Sequence, residues 1–172
     1  MSPRPARRAR TKSTSLPKVL TRLFEAIREG IYIGTLGAES GSTLAANPHL
    51  KLMFGYPAEC NDRDVRPFDP DRFVDPQARA AFLERLERDG TVTDYLLRLR
   101  RADESPIWVE VTAHVDPQDN GKALRIDVLA RDVSERRKLE DQGRDVYHQL
   151  VEAKKLAALG QTVSGVAHEL NN

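Results

Sequence analysis

Cysteine is almost missing from these 172 residues: Cys60 is the only one, so neither an intramolecular disulfide nor a cysteine-rich zinc site can form within the chain. No uninterrupted apolar run approaches the roughly 18 residues of a membrane-spanning helix. The basic N-terminus is not followed by the apolar core of a secretory signal. These gaps predict a protein with no membrane span in a reducing, cytoplasmic setting. Acid is absent from the first 24 residues, which carry Arg4, Arg7, Arg8, Arg10, Lys12, Lys18 and Arg22. That leaves 20 of the 27 basic side chains against all 26 acids, a balance near −6 for the body. Residues 1–17 therefore read as a disordered, solvated basic arm. The arm lacks the aromatic or apolar anchors that nucleic acid or lipid would call for, and the acidic body argues against a nucleic-acid face.

What is present has a globular balance, 40% apolar and 31% charged, at a length for one domain plus an extension. Val19, Leu20, Leu23, Phe24 and Ile27 recur at helical spacing, predicting a helix over 17–29 with Gly30 as its stop. Gly30 to Leu36 and Ser42 to Ala46 read as short strands. Asn47-Pro48 caps a short helix over 48–54, closed by Gly55. Prolines and aspartates over 57–70 indicate turns and small helical pieces. Asp75-Pro76 opens a helix with Ala78, Phe82, Leu83 and Leu86 on its apolar face, ended by Asp89-Gly90. Three segments then alternate with period two: Tyr95, Leu97, Leu99; Ile107, Val109, Val111, Ala113, Val115; and Leu124, Ile126, Val128, Ala130. They form an antiparallel meander with one buried face, with Asp119-Asn120-Gly121 turning between the last two. The fold class is α+β, with helices on one side of a five-stranded antiparallel sheet. From Ser134, a suitable N-cap, one long helix runs to the chain end.

Gly30-Ile31, Asn47, Phe54-Gly55-Tyr56, Asp89-Gly90, Trp108-Val-Glu-Val111 and Arg131-Asp-Val-Ser-Glu-Arg136 resemble a PAS sensor domain over 18–133. Residues 134–155 would be a signalling linker helix with coiled-coil character. Leu156-Ala-Ala-Leu-Gly-Gln-Thr-Val-Ser-Gly-Val-Ala-His168-Glu-Leu-Asn-Asn172 resembles the phosphoacceptor H-box of sensor histidine kinases, over 156–172. The resemblance implies the sensor and phosphoacceptor part of a two-component kinase, truncated in mid-helix before its ATP-binding domain. No Gly-rich phosphate loop occurs in the chain. On this reading the parent is an ATP-dependent protein-histidine kinase and this chain is inactive alone. ATP and Mg are expected only with the missing catalytic domain.

Leu156, Leu159, Val163, Val166 and Leu170 step by 3, 4, 3 and 4, the seam of a helical bundle. His168 lies two residues from both Val166 and Leu170, about 160° around the helix from each, on a polar stripe with Gln161, Ser164, Gly165 and Asn172. A free imidazole, with an unperturbed pKa of about 6.5, is largely neutral at cytoplasmic pH and nucleophilic. The resemblance makes His168 the phosphoacceptor and Glu169 the general base that orients its ring. Asn172 would position water for hydrolysis of a response regulator's phospho-aspartate. The implied partners are a second copy, a response-regulator receiver domain and the ATP-binding domain.

His49, His114 and His148 share no metal-ligand spacing with one another or with His168, and no metal site is expected. Cys60, in Glu59-Cys-Asn61, does not resemble the flavin-adduct motif of light-sensing PAS domains. The helix after Pro76 offers no haem-ligating His. A small organic ligand in the cavity remains open, its identity unknown. Trp108 is either a cavity wall or a cover for a flanking helix, and its phase favours the cover. Leu139, Val146, Leu150 and Ala153 keep a rhythm that would next select Ala157, yet the apolar positions resume at Leu156. That step is either a bistable phase break or an ordinary wide stripe. A reading from another class is a stand-alone PAS dimerisation module in which His168 is idle.

Overall fold

The computed structural model describes residues 16–37, 41–116 and 123–170, with side chains through Ala157. Helix α1 (Leu16–Ala26) leads into strands β1 (Gly30–Leu36) and β2 (Ser42–Ala46), then helix α2 (Pro48–Met53). Two single 3₁₀ turns, Asp62–Asp64 and Pro70–Arg72, occupy the proline- and aspartate-rich stretch. Helix α3 (Pro76–Asp89), strands β3 (Thr91–Arg100), β4 (Pro106–Val115) and β5 (Leu124–Asp132), and the long helix α4 (Ser134–Leu170) complete the order. The five strands form one antiparallel sheet in the order β2-β1-β5-β4-β3. The first and last strands of the sequence pattern thus meet at its centre.

Period-two alternation decides what each face holds. Ile107, Val109, Val111 and Ala113 on β4, with Ile126, Val128 and Ala130 on β5, are buried on the concave side. There they pack with Phe82 and Leu86 of α3 and with Leu50, Met53 and Phe54. Asn47 and Asp75 cap α2 and α3 as expected, accepting from the amides of Leu50 and Gln77. Gly90, at φ 68°, ends α3 in the left-handed conformation that glycine adopts without steric cost.

Several expectations need correction. Helix α1 begins at Leu16 and stops at Ala26, short of the expected end at 29, so Gly30 does not stop the helix, while it does open β1 as the strand reading expected. A Cβ at Gly30 would fall 2.7 Å from Leu50 Cδ1 and 2.9 Å from Met53 Cε, so a larger residue at the strand start would require the ends of those α2 side chains to shift. On α3 the buried residues are Arg79, Phe82 and Leu86, with Ala78 and Leu83 only half-buried. Arg79 donates to the Gly37 carbonyl at 2.6 Å and lies over the Phe73 ring, contacts invisible to a hydrophobic pattern. The Asp119-Asn120-Gly121 turn and the arm through Ser15 lie outside the described residues.

Candidate functional site

The natural place to look is where the sheet hands over to α4. Strand β5 passes through Asp132 and Val133 straight into helix, with no glycine or proline between. Val133 donates its amide to the Trp108 carbonyl at 2.9 Å, and Trp108 returns its amide to Ser134 Oγ at 2.9 Å. Ser134 is therefore not the N-cap: the Asp132 carboxylate accepts from the Ser134 amide at 2.9 Å, and the Ser134 hydroxyl serves β4. The other Asp132 oxygen pairs with Arg101 at 3.0 Å, and Arg101 also donates to the Met53 carbonyl at 2.9 Å. One carboxylate thus links the helix start to α2 and the β3–β4 turn.

Trp108 stands on the convex face of β4 and covers the helix start. The Arg137 guanidinium lies 4.5 Å from its ring centroid, and Arg98 lies 5.4 Å away. Two residues along β4, Glu110 accepts from Arg136 of α4 at 2.9 Å and pairs with Arg131 of β5 at 3.5 Å. Arg131 also bonds Glu29, just ahead of β1, and this pairing holds its guanidinium pKa above the ordinary arginine value. Exposed ion pairs each contribute little. Their value here is directional, since they tie both flanking helices to one point on β4.

The entry from α1 is fastened by one buried amide. Asn47 accepts from the amides of Ile31 and Leu50, both at 2.9 Å. It donates to the carbonyls of Phe24 at 3.2 Å and Glu29 at 2.9 Å. As a cap for α2 Asn47 was legible; its bonds to the α1 exit were not.

The concave side of the sheet is filled by aromatic rings. Tyr32 and Phe68 meet edge to face with centroids 5.2 Å apart, and Phe68 also contacts Phe54 and Phe82 at 6.5 and 6.4 Å. Tyr95 closes the series 5.5 Å from Phe82. Burial pushes the Tyr32 phenol above its usual pKa, a hydrogen bond with Thr43 partly opposing it. Cys60 sits half-buried at the margin of this cluster, its Sγ toward its neighbour's carbonyl.

The predicted site residues lie far from this junction. The backbone places His168 and Glu169 on α4, about 50 Å of helical rise beyond Ser134. Their side chains, and the whole of Asn172, lie outside the described residues, as do those of Leu159, Val163, Val166 and Leu170. Along the described part of α4, Leu139, Val146, Leu150 and Leu156 are exposed. His49 is half-buried on α2, His148 is exposed on α4, and His114 shares a hydrogen bond with Thr91 Oγ1 at 3.0 Å. Among the described residues no three His, Cys, Asp or Glu side chains could hold a metal ion, and no helix is long and apolar enough to cross a membrane.

The chain is similar in structure to an RNA-binding light-oxygen-voltage receptor, at 24% identity and TM-score 0.59, over 83% of this chain and 40% of that one. It thus spans two fifths of that receptor. It is also similar to a sensory box histidine kinase/response regulator from Burkholderia thailandensis E264, at 22% identity and TM-score 0.56, over 76% and 96% of the two chains. A PAS domain from Colwellia psychrerythraea matches at 16% identity and TM-score 0.54, over 70% of this chain and 99% of that one. Residues 28–135 match the family model of the PAS domain, and the chain belongs to that family.

Proposed function

We propose that this PAS domain is the sensory part of a two-component histidine kinase and that α4 carries its phosphoacceptor, His168. The observation that carries the reading is the unbroken passage from β5 into α4, fastened to Trp108 and Glu110. That same helix bears the motif from Leu156 as far as Leu170. A ring nitrogen of His168 attacks the γ-phosphorus of ATP held on a separate catalytic domain. An N–P bond forms as the P–O bond to the departing ADP breaks, and Glu169 takes up the proton from the other ring nitrogen. The phosphoryl group then passes from the His168 nitrogen to a receiver-domain aspartate, and in a separate reaction Asn172 positions water for hydrolysis of that phospho-aspartate to free phosphate.

The filled interior supports a sensor that answers to contact at its surface. A flat cofactor on the concave side would have to displace the Phe54, Phe68 and Phe82 rings, each at most 2% exposed. The exposed stripe of α4 supports a homodimer.

The test adds a matching catalytic domain and labelled ATP in trans. Label that is labile to acid and stable to base is expected on the wild-type chain and absent from His168→Ala, while the chain alone incorporates none. Equal label on His168→Ala would refute the assignment. No label on the wild type with an active catalytic domain would favour an idle histidine on a stand-alone module.

A further inference from the structure

Helix α1 is amphipathic, and the PAS core does not cover its apolar side. The helix buries no residue, and Leu20 and Leu23 stay 56% and 53% exposed. The Ile27 amide donates to the Leu23 carbonyl at 3.0 Å and carries the turn one step past Ala26. At about 100° per residue, Leu16, Leu20, Leu23 and Ile27 fall within an arc of about 60°, with Val19 beside it. All five are exposed. Lys18 and Arg22 lie toward the other side with Glu25, the single acid of the helix. What seats α1 is polar: Asn47 binds the carbonyls of Phe24 and Glu29, and only Phe24 is half-buried.

The basic arm has no apolar anchor of its own, but α1 follows it directly. Arg4, Arg7, Arg8, Arg10 and Lys12 precede the helix, and no acid occurs before Glu25. We infer that α1 lies on an anionic lipid surface, its stripe in the boundary between headgroups and acyl chains and the cations of the arm against the lipid phosphates. Stripe and charge act together in such a contact. The stripe alone is short, and each cation held near the surface tightens binding about fivefold. Charge also selects lipid over a second copy at this helix. Two α1 helices side by side would gather both basic arms with only Glu25 on each helix to offset them. The chain beyond residue 24 carries 20 basic groups against 26 acids, so the same surface repels it and contact is confined to this end. The stripe of α4 is left free for the homodimer.

Vesicle sedimentation with the full chain tests the assignment. Vesicles of phosphatidylcholine and phosphatidylglycerol in equal parts should carry the chain down, and pure phosphatidylcholine should bind it at least about tenfold more weakly. Leu20→Glu combined with Leu23→Glu, both at exposed positions, should cut binding to the anionic vesicles about tenfold with an unchanged circular dichroism spectrum. Arg8→Glu combined with Arg10→Glu should weaken it by about as much. A wild-type chain that stays in the supernatant overturns the lipid assignment. Undiminished binding by the Leu20, Leu23 variant overturns it as well, because surface charge alone would then hold the chain. Equal binding to pure phosphatidylcholine would remove the role of the arm and overturn it too. A chain that ignores vesicles but turns from dimer to monomer on the Leu20, Leu23 substitution would give the stripe to a second copy. Arm-dependent binding of an RNA oligomer in place of vesicles would give the charge to nucleic acid. Either result refutes lipid docking. Labelling of His168 is read in a separate assay without lipid, so the two proposals fail independently.

Discussion

Asn47 makes four hydrogen bonds from a fully buried side chain, one pair to amides and one to carbonyls. Asn47→Ala leaves those groups without partners in a site closed to water. It should cost about 2–4 kcal/mol of stability, read from urea denaturation. Asn47→Asp keeps the acceptor but sets a carboxylate oxygen against the Phe24 and Glu29 carbonyls, and should cost at least as much. Tyr32 gives a pH dependence. Its folded-state pKa is raised by burial above 10.0, so the unfolded chain loses the phenolic proton first. Stability from this group is intact below about pH 10 and falls as pH rises from there through the folded value. Tyr32→Phe should flatten that alkaline limb in denaturation profiles taken across pH 9–11.

Among the elements, α4 depends on its first turn. The Ser134 hydroxyl satisfies the Trp108 amide, and the Arg137 guanidinium stacks on the Trp108 ring. Ser134→Ala should cost about 1 kcal/mol, and Trp108→Ala more, because it also removes the surface on which Arg137 rests. Hydrogen exchange should show residues 134–140 opening faster in Trp108→Ala while the α3 amides stay protected. These elements were largely legible in the sequence. Period-two runs in β4 and β5 and the Asn47 and Asp75 caps act locally, and local chemistry is written in neighbouring residues. Helix ends were less so: Gly30 looked like a stop because its actual constraint, contact with Leu50 and Met53, comes from elsewhere in the chain. The contacts of Arg79, Glu110 and Arg131 gave no signal, since long-range ion pairs and buried guanidinium groups leave no periodic trace. The phosphoacceptor reading of His168 rests on a resemblance alone, because phase by itself would make it an ordinary surface histidine.

At the scale of the whole molecule, two flanking helices leave one PAS core through points joined by Glu29, Arg131, Glu110 and Arg136. A shift of the sheet would act on the same strands that fix the start of α4. The uninterrupted helix would then present His168 at a different angle. Helical phase is then the carried quantity. The direct test joins this chain to the ATP-binding domain of a histidine kinase, as the proposed function requires, and shortens α4 between Leu139 and Ala153, by seven residues in one variant and by two in another. Seven residues turn the helix by about 700°, close to two full turns, while two turn it by about 200°. Regulated labelling of His168 should survive the seven-residue deletion and be locked or lost in the two-residue one. Equal regulation in both variants would contradict rigid coupling between the sensor and its phosphoacceptor.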